Sequence, residues 1–85
     1  MNPRNDLSSV WKGAAMEVEW VDGFEIKVTL DDDGAVVIDA NQEGLLSLAK
    51  QLSALAEKAP GTHIHYDTYN SLEEGSTELI IAKTE

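Results

Sequence analysis

Cysteine is absent from this 85-residue chain, so no disulfide can staple its fold. Long apolar runs are missing as well, and nothing approaches the ~18–20 consecutive apolar residues that a membrane-spanning helix needs. Basic residues are scarce: six Lys and Arg stand against sixteen Asp and Glu, a formal net charge of -10 with histidine neutral. Binding to phosphate backbones or anionic lipid is driven by Lys and Arg displacing counterions, so neither nucleic acid nor a membrane surface is an expected partner. The field of such a chain draws basic proteins instead and speeds their encounter. The opening Met1-Asn2-Pro3-Arg4-Asn5-Asp6 has no apolar core followed by small residues at a cleavage site, and a cytoplasmic location is the expectation.

What is present is ordinary globular material, 42% hydrophobic and 26% charged. One compact domain is expected. A chain of this size hides roughly 60–65% of the surface its unfolded form exposes, near the lower limit for folding unaided.

Residues 1–15 show no sustained period and read as a loosely ordered arm before a single α+β domain over 16–85. From Met16 the pattern sharpens. Val18 and Trp20 alternate with Glu17 and Glu19, Asp22-Gly23 supplies turn chemistry, and Ile26, Val28 and Leu30 alternate with Glu25, Lys27 and Thr29. Those two runs predict a hairpin. Asp31-Asp32-Asp33-Gly34 predicts a second turn, with a third strand over Val36 to Ala40. Asn41 then stands at a helix N-cap, with Glu43 against the positive end of the dipole. Leu45, Leu48, Ala49, Leu52, Leu55 and Ala56 fall on one stripe of a helix running to about Lys58, and Ser47, Lys50, Gln51 and Glu57 turn away. Pro60-Gly61 stops it. Strands over Thr62 to Asp67 and Thr77 to Lys83 follow, separated by a polar loop.

The order β-β-β-α-β-β predicts a mainly antiparallel sheet of about five strands, with its one helix packed on one face. Strand parity assigns Val18, Trp20, Ile26, Val28, Leu30, Val36, Ile38, Ile64, Tyr66, Leu79 and Ile81 to the covered face. Glu17, Glu19, Glu25, Lys27, Thr29, Val37, Asp39, His63, His65, Asp67, Glu78, Ile80 and Ala82 fall on the open one. Charge is unevenly distributed. Residues 17–39 hold eight acids against Lys27, and residues 67–78 hold four acids and no base, whereas two acids and two lysines balance over 42–58. An acidic sheet face with acidic loops either solubilises the chain or recognises a basic partner.

The one local pattern with metal-ligand spacing is His63-x-His65-x-Asp67, which on a strand sets three side chains on one face roughly 6.5–7 Å apart. Two imidazoles and a carboxylate suit zinc or iron. The same alternation also arises when polar residues simply face outward from Ile64 and Tyr66. No recognisable nucleophile motif accompanies Ser71 or Ser76, no phosphate-cradling glycine pattern is present, and the Asp31–Gly34 run lacks the later ligands of a calcium loop. An enzyme is not expected, and no cofactor is called for.

Asn41-x-x-Gly44-Leu45-x-x-Leu48-Ala49-x-x-Leu52-x-x-Leu55-Ala56, His63-x-His65-x-Asp67, Ser71-Leu72, Gly75-Ser76 and Glu78-Leu79-x-Ile81 together resemble the immunity-protein 32 family of bacterial polymorphic toxin systems. The likeness covers roughly residues 41–83. It implies a small α+β protein that binds a cognate toxin domain, basic in character, and blocks it by occlusion inside the producing cell. On that reading the contact residues are Asp31, Asp32, Asp33, Glu73 and Glu74 in the loops, Tyr69 as an aromatic anchor, and His63, His65 and Asp67 on the strand. Alternatives are a metal-binding protein or small hydrolase using His63, His65 and Asp67, and an adaptor whose free edges pair with a second copy as a homodimer.

Overall fold

The computed structural model describes residues 15–85. The arm expected over 1–15 lies outside the described residues apart from Ala15, which forms a parallel bridge with His63. Four strands and one helix follow in the order β1 (Ile26–Leu30), β2 (Val36–Ala40), α1 (Gln42–Ala56), β3 (His63–Tyr66) and β4 (Leu79–Ala82). The α+β class and the antiparallel pairing are as expected, but the single five-stranded sheet is not. The strands form two two-stranded sheets, β1 with β2 and β3 with β4.

Two physical causes separate the expected sheet from the observed one. The first concerns residues 16–20, whose alternation suggested a strand paired with β1. Their extended backbone finds other partners: the Met16 amide donates to the His63 carbonyl at 2.7 Å, the Val21 amide donates to Ser47 Oγ at 2.8 Å, and the Glu19 carbonyl accepts from Gln51 Nε2 at 2.8 Å. With these polar groups satisfied by two helix side chains and by the His63 carbonyl, the segment takes no place in the β1 ladder. The second concerns the join between the sheets. The outer edge of β1 is met by residues 73–77, where the Glu73 amide donates to Ile26 O (2.8 Å) and the Thr77 amide to Val28 O (2.7 Å), while Ser76 Oγ accepts from the Val28 amide (3.0 Å). A serine hydroxyl thus replaces one rung, and the ladder does not extend into β4.

β1 is flanked on both edges and carries two fully enclosed positions, Ile26 and Val28. Leu55, Ile64, Tyr66 and Leu72 complete the buried core, with Met16, Val18, Trp20, Phe24, Ala40, Leu48, Leu79 and Ile81 packed against it. Trp20 stacks on Phe24 at 4.2 Å between centroids and meets Tyr66 edge-on at 6.1 Å. Leu30, Val36 and Ile38, expected on the covered face, are exposed. The helix begins over the Ile26–Ala40 end of the hairpin and leaves the turn end uncovered. That turn is built as expected: Asp31 Oδ1 accepts from the amides of Asp33 and Ala35, and Gly34 takes φ +86.

The N-cap is also as expected, for Asn41 Oδ1 accepts from the Gly44 amide at 2.8 Å. The buried line of α1 is not. It runs through Gly44, Ser47, Gln51 and Leu55, while Leu45, Leu46 and Leu52 are 55%, 46% and 41% exposed. Gly44 accounts for the rotation. A Cβ there would stand 2.7 Å from the Glu25 carbonyl oxygen and 2.9 Å from Ile26 Cγ1, so the helix approaches β1 closest where a side chain is missing. Beyond its C-terminal end, the Ala56 and Lys58 carbonyls accept from Lys83 Nζ at 2.8 and 2.7 Å, which sets a positive charge at the negative end of the helix.

Candidate functional site

The hairpin carries a cluster of exposed charge. Glu25, Asp31, Asp32, Asp33 and Asp39 are all exposed, and Lys27 is the one base among them, placed opposite Asp39 in the β1–β2 register. Where residues 73–77 run beside β1, a shallow groove opens, lined by Glu25, Ile26, Lys27, Asp39, Ala40, Asn41 and Glu73. Three carboxylates and one ammonium on an open surface present negative potential to any approaching cation.

The loop after β3 supplies the rest. Asp67 organises it: its Oδ1 accepts from the amides of Tyr69 and Asn70 at 2.9 Å each, and its carbonyl accepts from Leu72 at 2.8 Å. Asn70 locks the turn from the other side, its Oδ1 accepting from the Asp67 amide and its Nδ2 donating to the His65 carbonyl. Leu72 is thereby drawn into the core, and Tyr69 is left 98% exposed at the tip. Glu73 and Glu74 follow, both exposed.

Residues singled out from sequence therefore divide. Asp32, Asp33, Tyr69, Glu73 and Glu74 are surface groups, and Asp31 is exposed although one of its oxygens is committed to the turn. His63 is buried at 3% exposure beside the Ala15 bridge and presents no surface to a partner. His65 and Asp67 do come together, and the third member of their group is Glu78 rather than His63. His65 Nε2 lies 3.4 Å from Glu78 Oε2 and 3.9 Å from Asp67 Oδ2, and the three ligand atoms fall within 4.8 Å of one another. His65 Nε2 is sealed from solvent and makes no hydrogen bond. Because Oδ1 of Asp67 is held by two amides, Oδ2 is the oxygen turned toward the imidazole. Strand parity had put Glu78 on the His65 face; the β3–β4 register, which sets His65 against Ile80, was the missing link.

Inside the fold, Tyr66 is fully buried and its hydroxyl donates to Gln51 Oε1 at 2.8 Å. Burial pushes its phenol up to about 12. That group is structural, walled off from the charged surface.

Among the described residues no helix is long and apolar enough to cross a membrane. The family model described as Immunity protein 32 matches residues 35–84, from the end of the β1–β2 turn through β4. No curated protein and no solved structure matches the chain.

Proposed function

Because the chain belongs to the immunity protein 32 family, we propose that it binds a cognate toxin domain of a bacterial polymorphic toxin system and neutralises it by occlusion in the cytoplasm of the producing cell. Family membership over residues 35–84 carries the reading. The exposed carboxylates support the placement of the contact: Asp32 and Asp33 at the hairpin tip, and Glu73 and Glu74 beside β1, would pair with Arg and Lys of a basic toxin, with Tyr69 as the apolar anchor between charges. Such a protein acts by stoichiometric binding and turns over no substrate. Steering by a net charge of -10 would raise the rate at which it captures that toxin.

The test is protection. A toxin-like domain encoded beside this protein is expressed with and without it, and the two are expected to copurify from rescued cells. Growth arrest that this protein leaves unchanged would overturn the reading.

One observation favours a second reading. In the group His65, Asp67 and Glu78, the 3.4 Å separation of His65 Nε2 and Glu78 Oε2 matches the edge of a zinc coordination tetrahedron, about 3.4 Å when bonds are about 2.1 Å, and Asp67 Oδ2 stands farther off at 3.9 Å. Zinc titration of the purified protein tests it: uptake lost on Glu78→Gln supports a metal site, and a melting temperature that ignores both zinc and chelator removes it.

A further inference from the structure

The outward face of α1 is the least expected surface of this molecule. Its buried line, Gly44, Ser47, Gln51 and Leu55, faces the sheet. At 100° per residue, Leu45, Ala49, Leu52 and Ala56 form a second line about 125° round the helix from the first. All four are exposed, with Leu46 alongside. The opposite flank is occupied, since Met16, Glu17, Val18 and Glu19 line a groove with Lys50, Gln51, Ala54 and Lys58. The exposed line has spacings of four, three and four residues, the repeat of a two-helix seam in which small and large residues alternate.

Charge identifies what fits it. The chain as a whole carries -10, yet Glu43 and Glu57 balance Lys50 and Lys58 over residues 42–58. A second copy meets strong like-charge repulsion at the hairpin and loops, but little at this helix. Geometry agrees with charge: in an antiparallel pair centred between Lys50 and Gln51, Leu45 of one copy falls against Ala56 of the other, and Leu52 falls against Ala49. Large meets small at every level, the helix dipoles oppose, and the alanines let the backbones approach closely.

We infer that two copies of this chain associate through α1, antiparallel, along the seam Leu45–Ala49–Leu52–Ala56. The inference is independent of the toxin-binding reading and uses a different surface. A 15-residue helix is about 22 Å long, so the contact is small and the dimer forms as concentration rises.

Sedimentation equilibrium of the full chain over a broad concentration range tests it. The wild type is expected to move from monomer toward dimer mass, and added salt should strengthen the association by screening two chains of like charge. Leu52→Lys should weaken it by about tenfold or more with an unchanged far-ultraviolet spectrum, since it sets a charge in the seam. Leu30→Lys, at a residue 61% exposed on the hairpin, is the control and should dimerise like the wild type. A wild type that stays monomeric throughout, or a Leu52→Lys protein that dimerises as well as its parent, would overturn the inference. So would a seam whose charge substitution abolishes toxin binding while the wild type remains monomeric, because the occupant would then be the toxin. Toxin binding that fails only in Glu73→Lys/Glu74→Lys leaves the dimer inference standing.

Discussion

Tyr66 and Gln51 share the buried hydrogen bond that ties the helix to the sheet: the phenol donates to Gln51 Oε1 at 2.8 Å, deep between α1 and β3. The same amide donates through Nε2 to the Glu19 carbonyl, also at 2.8 Å. One glutamine thus joins the core aromatic, the helix and the extended segment 16–21, and the Tyr66 hydroxyl and the Glu19 carbonyl both lose their partner if it is removed.

Alkaline pH should expose this arrangement. The Tyr66 phenol ionises near 10 in an unfolded chain and is raised to about 12 by burial in the fold, so the folded state holds its proton more tightly. Its contribution to stability is fully present below pH 10 and is lost as pH climbs from 10 through 12, approaching about 2–3 kcal/mol at the limit. Urea titrations at pH 9 and pH 11.5 measure the loss, with Tyr66→Phe as the reference that lacks the titrating proton. If wild type and Tyr66→Phe lose stability in parallel across that window, the phenol is not the group responsible.

Adjacent helix positions should respond in the reverse of their hydropathy. Gln51→Leu strands the Tyr66 hydroxyl and the Glu19 carbonyl, at a cost of about 1–3 kcal/mol. Leu52→Gln changes a side chain that is 41% exposed and should stay within about 0.5 kcal/mol in dilute solution. Chemical denaturation of the two single variants decides the orientation of α1, and a larger loss at position 52 would refute it.

Gly44→Ala offers a sharper steric test. Alanine ordinarily improves an exposed helical glycine by up to about 1 kcal/mol. Here its Cβ would press on the Glu25 carbonyl, which is backbone and cannot swing aside, so a loss of about 1–3 kcal/mol is expected. A thermal melt of the purified variant reads the sign directly.

Charge reversal on the loop addresses the partner. Glu73→Lys/Glu74→Lys should slow association with the toxin domain and flatten its dependence on ionic strength, leaving the melting temperature near that of the parent. Stopped-flow binding at low and moderate salt separates this from a general loss of affinity. Association rates unchanged by the double reversal would move the contact elsewhere.

Turns and caps were legible in the amino-acid sequence because their chemistry is local. Asn41 caps, and Asp31 and Gly34 turn the hairpin, through hydrogen bonds to neighbours a few residues away, whereas the loop that Asp67 and Asn70 fold was read only as polar, with Asp67 taken for the end of a strand. The face of the helix was not legible, since leucine spacing measures apolarity and cannot register that Gly44 allows close contact or that Ser47 and Gln51 find backbone partners over twenty residues upstream. Residues 16–20 were misread for the complementary reason: their alternation is real, but the Ser47 and Gln51 side chains and the His63 carbonyl supply bonds that a strand paired with β1 would have taken. At the surface cluster, parity placed His65, Asp67 and Glu78 on one face, and only the strand register could show that Glu78 meets His65 while His63 is buried.

The rung that Ser76 supplies to Val28 spans 48 positions of the chain. During synthesis the first hairpin emerges from the ribosome well before residues 73–77 do, and its outer edge stays bare through that interval, open to pairing with a neighbouring nascent chain. A product cut short after the helix would keep that edge permanently open. Residues 73–77 therefore work as a closing seal whose loss would first be seen as insoluble protein.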